Sequence, residues 1–305
     1  MQKILWISLT SVSLVFSQLT YSEENNTSFV DHIIAYNPNF FGIAIPTENE
    51  PLEEEEHLEF YLSIQYPIWH GLHFVYNGSF DFYVQNEQYS SSPVLSRIQN
   101  PGINYNFPLI QSKHLNHYLE IGWFHESNGQ SLELAGADQN QDGVDDGVEI
   151  FQIYLNQRNL MYAINQVSRG WDYASFRYRL SNQAPALTKG YWALQADLRF
   201  LCDCQMVGAI DKEDEIWWND DVDAQIQDYD GIRLRYDYVP FNWMSLRAEF
   251  KTGINKILKN NGGKLSLNFK VGDSWVSLFA FDGYGKDPAT YHLKTSYIGL
   301  GLEFD

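Results

Sequence analysis

Hydrophobic and polar residues alternate with a period of two along most of the chain. In segment 57–66 one face of the alternation carries Leu58, Phe60, Leu62, Ile64 and Tyr66. The same pattern recurs in segments such as 191–200 and 297–304. Because successive side chains of a β-strand point to opposite faces, the pattern predicts strands with one apolar and one more polar face. The 3.6-residue period of an amphipathic helix is not sustained in any part of the chain.

The alternating segments are joined by connections that are long and short in turn. We predict twelve strands, at 39–46, 57–66, 72–84, 98–108, 115–125, 171–180, 190–200, 231–239, 242–253, 263–270, 275–282 and 294–304. An even number of strands, with long loops at one end and short turns at the other, is typical of bacterial outer-membrane barrels. A soluble β-sandwich would also alternate, but its strands are usually shorter. The sequence therefore predicts an all-β fold, a twelve-stranded antiparallel transmembrane β-barrel in the outer membrane of a Gram-negative bacterium.

The N-terminus has the features of a secretory signal peptide, which we predict at 1–22. A positively charged start precedes an apolar run of about a dozen residues, and small residues follow this run. Cleavage after Ser17 and cleavage after Ser22 both remain open. The rest of the chain, 23–305, is then expected to be exported as a single barrel domain with an extracellular loop insert at about 132–165.

Composition narrows the range of partners. The formal net charge is -19 at pH 7, which argues against nucleic acid as a partner because such a protein must neutralise phosphates. Aromatic residues make up 16% of a chain that is polar on average. This combination is typical of a membrane barrel, because only one face of each strand meets lipid. Cys202 and Cys204 lack the spacing of a zinc site, which favours two unpaired thiols.

The stretch FHESNGQS places a histidine and a serine at the outer end of a predicted strand. His125 and Ser127 continue the apolar row of that strand and so face lipid, where polar side chains are costly unless they bond each other or do chemistry. Asp172 lies on the same face of the next predicted strand. A serine nucleophile, a histidine base and a carboxylate that orients the imidazole would then meet on one external patch. The alternative, polar residues at a loop edge, remains open, and Asn165 is the next candidate for the third member.

Two motifs of the chain resemble those of a known family. HESNGQS, followed by SRGWD, is similar to the H-x-S-N-G-x-S and S-R-x-W-N motifs of the bacterial outer-membrane phospholipase A family. The stretches EFYLSIQYPIW, SSPV, GYG and IGLGL are also similar to it, so the resemblance covers most of 39–305. It implies a twelve-stranded barrel, calcium-dependent hydrolysis of acyl esters of membrane phospholipids, activation as a homodimer and an active site toward the outer leaflet.

The resemblance also implies roles for single residues. Ser127 is then the nucleophile, His125 is the general base, and Asp172 stands where the family usually has Asn. The backbone N–H of Ser127 and a calcium-bound water would stabilise the oxyanion. The resemblance assigns the catalytic calcium ion (Ca2+) to the carbonyl of Gln130, to Ser168 and to Ser91 of the partner subunit.

The insert between the two motifs carries a second pattern that indicates calcium. Five residues match the ligand spacing D-x-[DN]-x-[DN]-G-x5-E of an EF-hand loop, namely Asp138, Asn140, Asp142, Gly143 and Glu149,. Asp146 fills the ninth position of the loop. The spacing predicts an isolated calcium loop of weak affinity, and an acidic loop without metal is the alternative. The segment that follows is expected to be a short helix or an extension of the barrel strands.

A non-enzymatic barrel is the second function class that the sequence allows. It would be a small porin or a calcium-binding surface barrel. Charged residues on the predicted lumen face would line its channel, or would fill a closed barrel as a polar network: Glu59, Glu120, Arg177, Arg179, Asp197 and Arg199. The lipid-side position of His125 and Ser127 discriminates the two classes, because a porin does not need it.

Overall fold

The computed structural model describes most of the barrel. It covers residues 36–47, 56–83, 94–111, 114–130, 132, 139, 141, 144, 146–157, 163, 166–202, 225–272, 274–286, 288 and 290–304. Several sequence predictions concern residues outside these ranges: the signal peptide at 1–22, Ser91, Asp138, Asn140, Asp142, Gly143, Asn165 and Cys204. The side chain of Cys202 is also outside the description.

Twelve antiparallel strands form a closed barrel, which confirms the predicted fold class. They are β1 Asn39–Pro46, β2 His57–Trp69, β3 Leu72–Phe82, β4 Val94–Gln111, β5 Leu115–Ser127, β6 Gly170–Asn182, β7 Trp192–Cys202, β8 Gly231–Phe241, β9 Met244–Gly253, β10 Asn261–Val271, β11 Ser274–Gly283 and β12 Thr295–Phe304. Each strand pairs with its neighbours in sequence, and β1 pairs with β12 to close the barrel. Closure pairs the backbone groups of every strand, which a lipid environment requires.

Two short helices lie wholly within the described residues. An α-helix, α1, covers Asp146–Gln157, and a 3-10 helix covers Ile226–Asp228. Neither helix is long and apolar enough to cross a bilayer. Helix α1 resolves the alternative that the sequence left open for the segment after the predicted calcium loop.

The outer face of the barrel is apolar, and its inner face is polar. On β12 the exposed side chains are Ile298, Leu300, Leu302 and Phe304, while Glu303 between them is buried. At the short-turn end, Trp243 stacks between Phe241 and Phe269 and forms part of an aromatic belt of the kind found at membrane interfaces,. This distribution matches the alternation in the sequence.

Ion pairs fill much of the barrel lumen. Arg177 lies 3.3 Å from Glu120 and 3.3 Å from Asp197, and Arg199 lies 3.4 Å from Asp197 and 3.1 Å from Glu126. The hydroxyl of Tyr36, from the chain before β1, bonds both Glu120 and Arg177. A cavity of about 360 Å³ remains in the lumen beside Arg177, Asp197 and Arg199. Arg177 and Arg199 are thus paired with lumen carboxylates, as expected for a polar network that fills a closed barrel.

Candidate active site on the outer face

Strands β5 and β6 bring the predicted catalytic residues together at the long-loop end of the barrel. His125 is the direct cross-strand partner of Asp172, and Ser127 is the direct partner of Gly170. Further along the same faces, Ile121 and Phe176 are exposed on the outside of the barrel. The predicted strand faces are therefore those of the structure, and the three side chains share one external patch.

A short hydrogen bond joins the histidine to the aspartate. Nδ1 of His125 lies 2.8 Å from Oδ1 of Asp172. A carboxylate only accepts hydrogen bonds, so Nδ1 of His125 is the donor of this bond, and in a neutral imidazole with this tautomer Nε2 carries the lone pair that a general base needs. The Asp172 side chain is 1% exposed and that of His125 is 17% exposed. The carboxylate is thus shielded, while the imidazole remains accessible.

Ser127 lies one step further along the same face as His125. Its cross-strand partner is a glycine, and a Cβ atom at position 170 would lie 2.9 Å from Cβ of Ser127. Gly170 therefore leaves the space that the serine side chain needs. Among the described residues, no hydrogen bond joins the hydroxyl of Ser127 to His125. Such bonds between nucleophile and base often tighten only when substrate is bound.

The inner face of β5 fixes the backbone that carries this patch. Glu126, between the histidine and the serine, points into the lumen and accepts hydrogen bonds from Arg199 at 3.1 Å and Asn100 at 3.4 Å. The amide of Asn100 also donates to the carbonyl of His125 at 3.2 Å. Because successive residues point to opposite faces, bonds to Glu126 hold its two neighbours outward.

The two proposed calcium ligands within the described residues lie on neighbouring segments. The N–H of Ser168 donates to the carbonyl of Leu132 at 2.7 Å, and a parallel bridge joins Leu132 to Val167. Within the described ranges, the carbonyl of Gln130 and the hydroxyl of Ser168 take part in no hydrogen bond. Both oxygens are hard donors of the kind that calcium binds, so the chemistry of the donor set fits this metal.

Asn128 connects these two segments, and the sequence patterns did not assign it a role. Its side chain is buried, and its amide bonds backbone groups of Val167, Arg169 and Gln130. The signal in the sequence is the SNG triplet, in which an asparagine precedes a glycine. Gly129 has a φ of +62°, a backbone conformation that glycine adopts readily,.

Helix α1 places part of the insert against the candidate site. Phe151 is buried and packs with Ala163, Val167 and Leu132. Asp146 and Glu149 lie in the first turn of the helix, and Oδ1 of Asp146 accepts a hydrogen bond from the N–H of Gln139 at 3.3 Å. These are the two members of the predicted second calcium loop that the structure describes.

A different group of described residues has the spacing of metal ligands. His57, Glu59 and Asp81 cluster inside the barrel wall. However, Nζ of Lys286 lies 3.2 Å from Asp81 and 3.1 Å from Nε2 of His57, and Lys264 lies 3.3 Å from Glu59. The ammonium groups of Lys286 and Lys264 therefore neutralise the two carboxylates. Through Lys286 this cluster attaches the β11–β12 connection to the barrel wall.

The barrel is similar to solved structures of outer membrane phospholipase A. An active-site mutant of the Escherichia coli protein matches with a TM-score of 0.65 and 17% identity, over 93% of this chain and 95% of that chain. The Salmonella typhi protein, a dimer with bound calcium, matches with a TM-score of 0.63 and 16% identity, over 93% and 94% of the chains. No protein-family model matches the sequence, and no curated protein matches it. The chain is therefore an outer-membrane β-barrel with the twelve-stranded fold seen in outer membrane phospholipase A.

Proposed function

We propose that the protein is a calcium-dependent phospholipase of the outer membrane. It would hydrolyse acyl-ester bonds of glycerophospholipids, with phospholipase A1, phospholipase A2 and lysophospholipase activity. The observation that carries the proposal is the 2.8 Å bond between His125 and Asp172, next to Ser127 on the outer face. A buried carboxylate and an imidazole are costly on a surface that faces lipid, and a barrel without catalytic activity has no use for them there.

The proposed mechanism follows from the roles of these three side chains. The hydroxyl of Ser127 attacks the carbonyl carbon of the ester while Nε2 of His125 accepts its proton. Asp172 keeps the proton of the imidazole on Nδ1 and stabilises the imidazolium that forms. The backbone N–H of Ser127 donates to the developing oxyanion.

The second half of the reaction regenerates the serine. The imidazolium of His125 donates its proton to the leaving alcohol, which departs as the lysophospholipid and leaves the acyl group on Ser127. His125 then deprotonates a water molecule, which attacks the acyl-serine ester, and the imidazolium returns this proton to Oγ of Ser127 as the fatty acid leaves. The same three residues thus serve both halves.

The proposal includes a calcium ion that binds to residues near the nucleophile Ser127. When bound, the ion supplies positive charge that polarises the ester carbonyl, and it would be held by the carbonyl of Gln130, by Ser168 and by Ser91 of the partner subunit. Because one ligand comes from a second copy, the proposal includes a homodimer in which exposed apolar side chains such as Ile121 and Phe176 lie at the contact. Acyl chains of the substrate would lie in the groove between subunits.

Hydrolysis of detergent-dispersed phospholipid, with calcium or with EDTA, tests this function. We expect fatty acid release that requires calcium and falls by orders of magnitude in Ser127→Ala, while the folded barrel keeps its heat-modifiable mobility on a gel. Ser277→Ala, a buried serine on β11, is the matched control and should retain activity. Normal activity in folded Ser127→Ala would contradict the mechanism. No hydrolysis by the wild type would favour the porin or the surface barrel.

Dimerisation has its own test. Chemical crosslinking at increasing concentrations of calcium and of a substrate analogue should show the dimer fraction rising together with the rate. A fully active preparation that is strictly monomeric would contradict the proposal that two subunits share the calcium site. It would not contradict the proposed roles of Ser127, His125 and Asp172.

A further inference from the structure

Asn128 joins two chain segments that are far apart in sequence. One is the turn after β5, residues 128–130, and the other is the segment before β6, residues 167–169. The backbone N–H of Asn128 donates to the carbonyl of Arg169 at 2.9 Å. Its side-chain Nδ2 donates to the carbonyl of Val167 at 2.6 Å, and its Oδ1 accepts from the N–H of Arg169 at 3.0 Å. The residue is 3% exposed, so water does not replace these bonds.

The same oxygen also shapes the turn that follows. Oδ1 of Asn128 accepts from the N–H of Gln130 at 3.3 Å. This bond closes a short turn in which Gly129 adopts its positive φ,. One amide side chain therefore fixes the conformation of its own turn and the position of the opposite segment.

An asparagine is suited to this position because it offers a donor and an acceptor on one short side chain. The carbonyl of Val167 needs a donor, while the two N–H groups of Arg169 and Gln130 need an acceptor. An aspartate would satisfy the two N–H groups but would place a charged oxygen against the carbonyl of Val167. An alanine would leave all three backbone groups without this partner, and unmet buried groups are expensive.

The two segments that Asn128 joins carry the two calcium ligands proposed above. Gln130 follows the asparagine by two residues, and Ser168 lies between Val167 and Arg169, whose backbone groups the asparagine binds. We infer that Asn128 is a positioning residue that holds these ligands together, so that the calcium site is preorganised. This inference rests on the proposed calcium-dependent function. Since the side chain bonds only backbone groups of the two segments, we place it outside the reacting groups.

Direct calcium binding by the folded full-length protein tests this role independently of catalysis. Calcium titration calorimetry would compare the wild type, Asn128→Ala and Asn128→Asp, each also carrying Asp138→Ala and Glu149→Gln so that the insert does not contribute. We expect Asn128→Ala to bind calcium about tenfold more weakly or worse, the scale of losing one or more buried hydrogen bonds. Asn128→Asp keeps the acceptor and should lie between the two.

Activity supplies the second readout. In Asn128→Ala the calcium concentration for half-maximal hydrolysis should rise by the same factor, while the rate at saturating calcium should be largely recovered. A merely structural role would lower the rate without this selective shift. The matched control is Asn268→Ala, which removes another buried asparagine, on β10, whose amide donates to Ser245 at 3.1 Å. Its calcium dependence should equal that of the wild type.

Several outcomes would overturn the inference. Unchanged calcium affinity in Asn128→Ala would do so, and so would an equal loss in Asn268→Ala. If Asn128→Ala does not fold, unchanged affinity in Asn128→Asp would overturn it as well. These results are distinguishable from failure of the proposed function. In that case the protein with native Asn128 that carries only Asp138→Ala and Glu149→Gln would bind no calcium, the wild type would show no hydrolysis, and the inference would fail with the proposed function.

Discussion

His125 and Asp172 face each other across β5 and β6, with 2.8 Å between Nδ1 and Oδ1. The pairing register alone brings them together, although 47 positions separate them in sequence. A shift of the register by one residue would turn one side chain to the opposite face of the sheet. The barrel thus holds an ionisable pair on its outer surface, where the surrounding exposed side chains are apolar.

Substitution of Asp172 tests how this pair acts. Asp172→Asn should retain substantial activity, because the amide oxygen still accepts a hydrogen bond from the N–H at Nδ1 of His125. Asp172→Ala leaves the tautomer of His125 unfixed, and we expect a loss of roughly 100-fold or more in kcat/KM. Rates of phospholipid hydrolysis at saturating calcium measure both. If Asp172→Ala were as active as the wild type, the third catalytic member would lie elsewhere, with Asn165 as the next candidate.

Gly170 gives a second prediction, through the space it leaves for the nucleophile. A methyl group at this position would lie 2.9 Å from Cβ of Ser127, so Gly170→Ala must displace the serine. A displacement of about 1 Å at a reacting group can lower a rate roughly 100-fold, and we expect a loss of that order with an intact barrel. Gly263→Ala on β10, where the nearest atom lies at 3.3 Å, is the matched control. Full activity in Gly170→Ala would show that Ser127 tolerates the added methyl.

The strands were predictable because membrane barrels impose a strict alternation on the sequence. Strand β1 covers Asn39–Pro46 as predicted, and the other strands differ mainly at their ends. Strand β4 is the largest departure, because it covers Val94–Gln111 whereas the sequence predicted 98–108. The prediction stopped at residue 108, but the strand continues through a register shift between Pro108 and Ile110, and Pro108 has no N–H for the ladder at this point.

The candidate triad was predictable for the same reason, since alternation assigns each side chain to a face. The role inferred for Asn128 was not predictable from the sequence, because it depends on hydrogen bonds to backbone groups about 40 positions away. The contacts of Lys286 with His57 and Asp81 likewise depend on how a distant connection folds back over the barrel wall. Periodicity identifies the face of a residue, but it does not identify the loop that closes over that face.

A pH dependence is expected from His292, in the connection between β11 and β12. Burial, and then the positive charge of Arg169, lowers the pKa of His292 from 6.5 to about 4. The unfolded chain therefore binds a proton at a higher pH than the folded chain does. The contribution of His292 to the free energy of unfolding is fully present above about pH 6.5 and is lost as the pH falls from there toward about 4,. Urea denaturation in detergent, measured across this window, should show a smaller decline in His292→Gln.

The control for this prediction is His70→Gln, which replaces an exposed histidine in the turn between β2 and β3. This variant should decline with pH as the wild type does. Identical pH profiles for the wild type and His292→Gln would contradict the assignment.

The last prediction is that the insert binds its own calcium ion, separate from the catalytic one. Helix α1 begins at Asp146, the ninth position of the predicted loop, and its Phe151 packs against Val167 beside Ser168. A bound ion would therefore order the segment that carries Ser168, a proposed ligand of the catalytic calcium ion. Without the ion, the carboxylates of the loop would repel one another and make this segment less ordered.

Calcium titration should show two phases in the wild type. Asp138→Ala with Glu149→Gln should remove one phase and raise the calcium needed for activity, without abolishing hydrolysis at saturation. Glu56→Gln, an exposed acid outside the insert, is the control. Unchanged calcium stoichiometry in the double variant would mean that the loop is only an acidic surface.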